Sequence, residues 1–230
     1  MFTIAACGGG DIASSGGGAT SASLGATLNL SGPVWTYSTY DGTFERFEGY
    51  RDLTGAYDVP GSGLNNVVGR IGSITTEGEL SYTIGVPGEM INISESLNNA
   101  FGWRNINNFY VSNNDTMGVT LEGFLATPNG TVQRWNYIET AIGEEDQAVF
   151  YIYVDRDLTV SGARTVSTET KDGFTATFII NAFNINLITG WNAVYQTEKE
   201  ELTGENSGTG TFTVSAANPG HLRWIIRDHY

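Results

Sequence analysis

The sequence predicts an all-β fold, either an antiparallel β-sandwich or a barrel-like arrangement, with about a dozen short strands that form one body or two packed β subdomains. From residue 26 onward, β-branched and aromatic residues alternate with polar ones, as they do in half-buried strands. Glycine-containing turns interrupt these runs at regular intervals, and no long amphipathic helix pattern occurs. Together these observations favour short strands joined by tight turns.

The first strands are predicted from short alternating runs. ATLNLSG puts Leu28 and Leu30 on one face, and VWTYSTY puts Trp35 and Tyr37 on one face. GTFERFEGYRDL is a more polar candidate strand. NVVGRIGSI and GELSYTIGV are predicted to form a hairpin through TTEG.

Residues 92–108 break this alternation. SESLNNAF fits one or two helical turns with Ser94 as the N-cap, and asparagine is dense around it. We therefore predict a connector over 92–108, between an N-terminal β-sandwich-like region over 26–91 and a C-terminal β region over 109–230.

The strand signals strengthen after the connector. GVTLEGFLAT turns at Pro-Asn-Gly into TVQRWNYIETAI. QAVFYIYV is apolar on both faces, which predicts a central strand covered on both sides. In GFTATFIINAFNINLITG the apolar phase changes near Asn181, which predicts a β-bulge or a tight bend there.

The composition is acidic, which argues against several classes of partner. The formal net charge is −14, and only 11 of 230 residues are lysine or arginine. Nucleic-acid binding and docking on anionic lipid both require clustered cations, and the sequence has no such run. The sequence contains no stretch of about 18 apolar residues and therefore predicts no membrane-spanning helix.

Cys7 is the sole cysteine and stands directly before three glycines. One cysteine cannot form an internal disulfide, and a glycine run offers no core in which to bury it. A catalytic thiol needs a nearby histidine to lower its pKa, whereas His221 and His229 lie at the other end of the chain. These features favour a processing role for Cys7.

The stretch Ile4-Ala5-Ala6-Cys7 resembles the lipobox of bacterial lipoproteins. The resemblance implies a lipid on Cys7, with residues 1–25 comprising a residual signal and a flexible Gly/Ser tether. It also implies an extracytoplasmic location at the bacterial cell envelope, periplasmic or on the cell surface, with the membrane reached through that lipid. A secretory signal needs an apolar region of roughly 7–15 residues, so this hypothesis implies a start upstream of Met1.

Several longer segments are similar to secreted bacterial lipoproteins of uncharacterised function. These segments are LNLSGPVWTY, GSITTEGELSYTIGVP, AVFYIYVDRDLTVSG and INLITGWNAVYQT, in that order. GSITTEGELSY resembles half of a small carboxypeptidase-regulatory-like β-sandwich. The resemblance implies an all-β lipoprotein and supplies no catalytic residue.

The sequence gives no pattern for catalysis, for a metal or for a cofactor. It lacks G-x-S-x-G, a phosphate-binding loop and a dinucleotide fingerprint. Its two histidines are too few for a zinc site. We therefore predict no catalytic residue, no metal and no cofactor.

Exposed aromatic side chains are the best candidates for ligand contact. Trp35, Tyr37 and Tyr40, or Trp135 with Tyr137, could lie on one face of a sheet, although such rings are more often part of a core.

Three functions follow from the sequence. The preferred interpretation is a lipid-anchored envelope protein that acts as a non-catalytic structural or interaction module. The alternative is a lipid-tethered module that binds carbohydrate or another small ligand. A glycoside hydrolase with paired carboxylates is a remote third.

Overall fold

The protein is described from a computed structural model. The structure describes residues 19–20, 22–38, 42–57, 66–102, 109–121, 123–127 and 130–228. Cys7 and Tyr40 lie outside the described residues. The fold class predicted from the sequence is confirmed, because nearly all regular structure is strand.

Twenty strands and one helix make up the described chain, and many of the strands are short. The elements are β1 (Ala19–Thr20), β2 (Ala22–Gly25), β3 (Leu28–Ser38), β4 (Thr43–Arg46), β5 (Arg51–Tyr57), β6 (Asn66–Ile74), β7 (Glu79–Ile84), β8 (Ile91–Asn92), α1 (Ile93–Gly102), β9 (Phe109–Val111), β10 (Met117–Leu121), β11 (Phe124–Thr127), β12 (Gly130–Thr140), β13 (Gly143–Val154), β14 (Leu158–Gly162), β15 (Thr165–Lys171), β16 (Phe174–Ile180), β17 (Phe183–Leu187), β18 (Gly190–Gly204), β19 (Ser207–Ser215) and β20 (Arg223–Asp228). None of the described helical structure has the length and hydropathy that a bilayer crossing requires.

Seven strands close into a barrel, in the order β11, β5, β6, β7, β3, β20 and β12. The barrel closes because β11 pairs with both β5 and β12. Each pairing in this ring is antiparallel except that of β3 with β20, where Trp35 lies opposite Ile225 in a parallel register. The predicted hairpin of β6 and β7 is confirmed, with Ile74 opposite Leu80.

Strand β12 links the barrel to an extended sheet. Its first half, Gly130–Trp135, pairs with β20, and its second half, Trp135–Thr140, pairs with β13. From β13 the sheet continues through β18, β19 and β16 to β15. The faces of the barrel wall therefore run on without a break into the extended sheet.

The β13–β18 pair is the centre of the molecule. Twelve consecutive residue pairs join the two strands, from Gly143 with Glu201 to Val154 with Gly190. Every side chain of Val149–Val154 is buried, which confirms the predicted strand covered on both faces. One face of this pair contributes Val149, Tyr151 and Tyr153 to the barrel core.

The opposite face contributes to a second core. Phe150, Ile152 and Val154 pack there with side chains of α1 and of a small sheet ordered β1, β17, β14 and β9. The phase change near Asn181 is explained by this division. Strand β16 ends at Ile180 in the large sheet, and β17 begins at Phe183 in the small one.

The helix lies within the predicted connector, but the predicted N-cap was wrong. The helix begins at Ile93, and the backbone N–H of Ser94 donates to Oδ1 of Asn92 at 3.0 Å. Asn92 is therefore the cap and Ser94 lies inside the first turn. Asparagine and serine are both favourable N-caps, so the sequence alone did not distinguish Asn92 from Ser94 as the start of the helix.

Trp191 provides a test of the barrel core. Its side chain is fully buried, meets Tyr153 edge-on at 5.5 Å, and donates from Nε1 to the carbonyl of Gly85 at 3.1 Å. Trp191→Ala should lower the free energy of unfolding by about 3–5 kcal/mol, because it leaves a large cavity. Urea denaturation measures this change. Val86→Ala, at a side chain that is 56 % exposed, is the control and should cost less than about 0.5 kcal/mol. Equal losses in the two variants would contradict this assignment.

Candidate functional site

The four aromatic residues proposed from the sequence lie on two strands of the barrel wall. Trp35 and Tyr37 are in β3, and Trp135 and Tyr137 are in β12. Val34 points into the barrel core, so the alternation of side chains directs Trp35 and Tyr37 to the outer face. Val132 gives the same argument for Trp135 and Tyr137. All four side chains are therefore on the outer face.

The structure brings these rings together. The centroid of Tyr37 lies 5.3 Å from that of Trp135 and 5.4 Å from that of Tyr137. Trp135 and Tyr137 stack at 5.7 Å with an interplanar angle of 18°. Phe44 of β4 joins them, because it lies opposite Tyr37 in the ladder and its ring is 4.9 Å away. We call Trp35, Tyr37, Phe44, Trp135 and Tyr137 the aromatic cluster.

Burial differs within the aromatic cluster. Trp135 is 8 % exposed, whereas the other four rings are half-buried. None of the five belongs to either hydrophobic core. The rings contact one another and arginine side chains, and part of the surface of Trp35, Tyr37, Phe44 and Tyr137 remains exposed to solvent.

Three arginines lie against the aromatic cluster. Arg227 lies 4.6 Å from the ring centroid of Trp135, and Arg223 lies 4.6 Å from that of Phe44 and 5.9 Å from that of Trp35. Arg46 lies 5.8 Å from Trp35. Each such cation–π contact is worth about 0.5–2 kcal/mol, depending on its desolvation. No pattern in the sequence predicted these contacts, because Arg46 reaches the cluster through the pairing of β4 with β3, and Arg223 and Arg227 reach it through the pairing of β20 with β3 and β12.

The charge of two of these arginines is not neutralised locally. Arg46 pairs with Glu79, but Arg223 and Arg227 make no ion pair with any residue in the described ranges. Arg223 donates to Oδ1 of Asn136 at 3.2 Å, and Asn136 in turn donates to Gln147 at 3.4 Å. The two guanidinium groups are therefore held in place while keeping donors for an anion.

Tyr137 connects the aromatic cluster to an acidic surface. Its hydroxyl donates to Oε2 of Glu144 at 2.6 Å. This hydrogen bond, followed by burial, raises the pKa of Tyr137 far above its usual range. The hydroxyl therefore remains protonated in neutral solution and acts as a fixed donor.

Acidic side chains in the described chain lie together on one sheet face near Tyr137. Within its ranges, no three His, Cys, Asp or Glu side chains come together as metal ligands. Glu139, Glu144 and Glu200 are direct cross-strand neighbours on one sheet face. They stand side by side in one row across the sheet.

A separate polar group lies inside the barrel. Arg134 of β12 is opposite Trp224 in the ladder, and its guanidinium is 5.8 Å from that ring. The hydroxyl of Tyr151 is near this guanidinium but has no hydrogen-bond partner of good geometry among the described residues. Burial raises the pKa of Tyr151 to about 12, and the neighbouring Arg134 opposes this shift only in part.

Comparison with known proteins adds no assignment. The chain matches no protein-family model, and neither the curated proteins nor the solved structures gave a significant match. The similarity to bacterial lipoproteins therefore stays a prediction. The aromatic cluster with Arg223 and Arg227 is the candidate site on its geometry alone.

Tyr151→Phe should change how stability depends on pH. The native hydroxyl titrates near pH 12 and the unfolded one near pH 10, so deprotonation favours unfolding as pH rises between these values. The stability is fully present below pH 10, and wild type should lose up to about 3 kcal/mol across the window. Tyr151→Phe lacks this hydroxyl, so its free energy of unfolding should fall less than that of wild type over the same pH range, by up to about 3 kcal/mol. At pH 8 it should be as stable as wild type or more so, because the hydroxyl makes no hydrogen bond of good geometry with the described residues.

Urea denaturation at pH 8, 10 and 11.5 measures both effects. Tyr110→Phe is the control, since Tyr110 is 64 % exposed, and it should keep the wild-type profile. Marked destabilisation of Tyr151→Phe at pH 8 would mean that the hydroxyl has a partner after all.

Proposed function

We propose that this chain is a non-catalytic binding module, anchored at the bacterial cell envelope through lipid on Cys7, and that it binds an acidic carbohydrate at the aromatic cluster. The observation that carries the proposal is the convergence of half-exposed rings with two arginines that lack ion pairs in the described chain. The envelope location rests on the lipobox and on the Gly/Ser segment that follows it.

Charge favours an acidic rather than a neutral ligand. The chain carries 25 acidic residues and 11 lysines and arginines, yet Arg46, Arg223 and Arg227 all lie at the aromatic cluster. A guanidinium matches a carboxylate or sulfate in a planar, two-point arrangement. An anionic ligand would be repelled elsewhere on so acidic a chain, so these arginines would direct it to this face.

The rings favour a carbohydrate over a simple anion. Trp35, Tyr37, Phe44 and Tyr137 keep exposed surface, and aromatic side chains supply a rigid contact area at low entropic cost. A small inorganic anion would use the guanidinium groups and leave these rings uncovered. A sugar that carries carboxylates would use both.

The lipid anchor has a direct test. With its upstream codons included, wild type should partition into the detergent phase and incorporate radiolabelled palmitate in bacterial cells. Cys7→Ser should do neither, because only the thiol accepts the lipid. Ser14→Ala, in the same segment, is the matched control and should behave as wild type. Equal recovery of wild type and Cys7→Ser from the detergent-free fraction would contradict the anchor.

The ligand has an independent test. Wild type should bind acidic oligosaccharides on a glycan array, and calorimetry should give tighter binding of trigalacturonic acid than of neutral galactotriose. Arg227→Gln should weaken trigalacturonate binding by about tenfold, or ~1.4 kcal/mol. Arg164→Gln, at an exposed arginine outside the cluster, should leave it unchanged. Equal binding of the two trisaccharides, or an equal effect of both variants, would overturn the proposed ligand.

A further inference from the structure

An open, apolar groove lies beside the aromatic cluster, on the part of the extended sheet that adjoins the edge of the second core. In the ladder Phe178 of β16 lies opposite Gly210 of β19, which lies opposite Glu200 of β18. The next row on the same face joins Ala176, Gly208 and Leu202. The apolar positions of these rows, Phe178, Gly210, Ala176, Gly208 and Leu202, form the floor of the groove.

Two adjoining concavities make up this groove. One has a volume of about 660 Å³ and is lined mainly by β15, β16 and β19. The other has a volume of about 530 Å³ and reaches Ile142 and Leu202 at the strand ends. Phe178 and Gly210 line both, so the two concavities form one continuous surface.

Two glycines of β19 leave room for phenylalanine rings to pack closely against that strand. A Cβ at Gly210 would come 3.2 Å from the Phe178 ring, and one at Gly208 would come 3.2 Å from the Phe174 ring. Phe178 nevertheless remains 47 % exposed and Leu202 60 % exposed. A group of large apolar side chains left open in this way is typical of a protein interaction site.

The walls of the groove are acidic. Among the described residues, no lysine or arginine lines the two concavities. Six glutamates line them: Glu139, Glu144, Glu169, Glu198, Glu200 and Glu201. Lys199 is next in the chain but forms an ion pair with Glu201 at 2.6 Å. Glu144 lies directly opposite both Glu139 and Glu200, and like charges in such positions destabilise a sheet.

We propose that this groove binds a partner-protein segment that carries both basic and apolar side chains. The apolar side chains would cover Phe174, Phe178 and Leu202, and the basic ones would relieve the repulsion among the glutamates. A neutral apolar partner would leave that repulsion in place, and an acidic one would increase it. This surface is distinct from the saccharide contact, and its charge is of the opposite sign.

Synthetic peptides test the proposal with the full chain. Wild type should bind acetyl-KLKLKLK-amide, should bind acetyl-KSKSKSK-amide more weakly, and should not bind acetyl-ELELELE-amide. Binding of the first peptide should weaken in 0.5 M salt, because part of the attraction is between exposed charges. Equal binding of the two lysine peptides would show attraction to net charge alone and would overturn the proposal.

Two variants locate the binding. Phe178→Ser should weaken binding of acetyl-KLKLKLK-amide by about tenfold or more, through lost apolar burial. Glu200→Lys, at an exposed position, should also weaken it and carries the test if Phe178→Ser does not fold by circular dichroism. Val86→Ser and Glu48→Lys are controls at exposed positions outside the groove and should bind as wild type. Equal binding by the groove variants and the controls would contradict the site.

Sedimentation distinguishes a partner-protein segment from a second copy of this chain as the occupant of the groove. If a second copy of this chain covered the groove, wild type would be a dimer that Phe178→Ser dissociates, and the proposed partner would then be wrong. Trigalacturonate binding by Phe178→Ser should equal that of wild type. A result that contradicts peptide binding in the groove therefore leaves the saccharide proposal intact. A result that contradicts saccharide binding likewise leaves the groove proposal intact.

Discussion

The pairing of β13 with β18 is the constraint on which the rest of the structure depends. These strands share twelve consecutive residue pairs and carry apolar side chains on both faces. Because neither face can be left in water, one must be enclosed by the barrel and the other by the small sheet and α1. The two cores are thus separated by a single layer of backbone. A shift of one residue in this register would exchange the faces and place each set of side chains in the core that is shaped for the other.

The same register determines where the functional surfaces lie. Strand β12 pairs with β20 in the barrel wall and then with β13. The outer face of the barrel, which carries Trp135 and Tyr137, is therefore continuous with the face of β13 that packs into the second core. The aromatic cluster and the acidic groove lie at the end of this face, beyond that core. The hydrogen bond from Tyr137 to Glu144 joins them. Their opposite charges suit different ligands, although they share one sheet.

Local features of this fold could be predicted from the sequence, and its long-range pairings could not. QAVFYIYV, the hairpin through TTEG and the phase change near Asn181 depend on neighbouring residues, and all three agree with the structure. Alternation along each strand puts Trp35 with Tyr37, and Trp135 with Tyr137, on one face, but it gave no reason to expect that the two pairs would meet. The contributions of Phe44, Arg223 and Arg227 were missed. Arg223 and Arg227 depend on the parallel pairing of β20 with β3, which joins segments from opposite ends of the chain. The contacts of Gly208 with Phe174 and of Gly210 with Phe178 could not be predicted either, because they depend on the pairing of β16 with β19.

The way in which the arginines are held bears on the difference between packing and binding. Ordering a long side chain costs up to about 2 kcal/mol of conformational entropy, which a ligand must otherwise supply when it binds. Here the rings of Trp135 and Phe44 already hold Arg227 and Arg223, and Asn136 accepts a hydrogen bond from Arg223. Stacking fixes the plane of a guanidinium without neutralising it, whereas an ion pair, such as that of Arg46 with Glu79, would use the charge. A cluster needed only for packing would gain from carboxylate partners, and this chain has more than twice as many acidic as basic residues to provide them. That Arg223 and Arg227 have none within the described chain is why we interpret their cluster as a surface prepared for an anion.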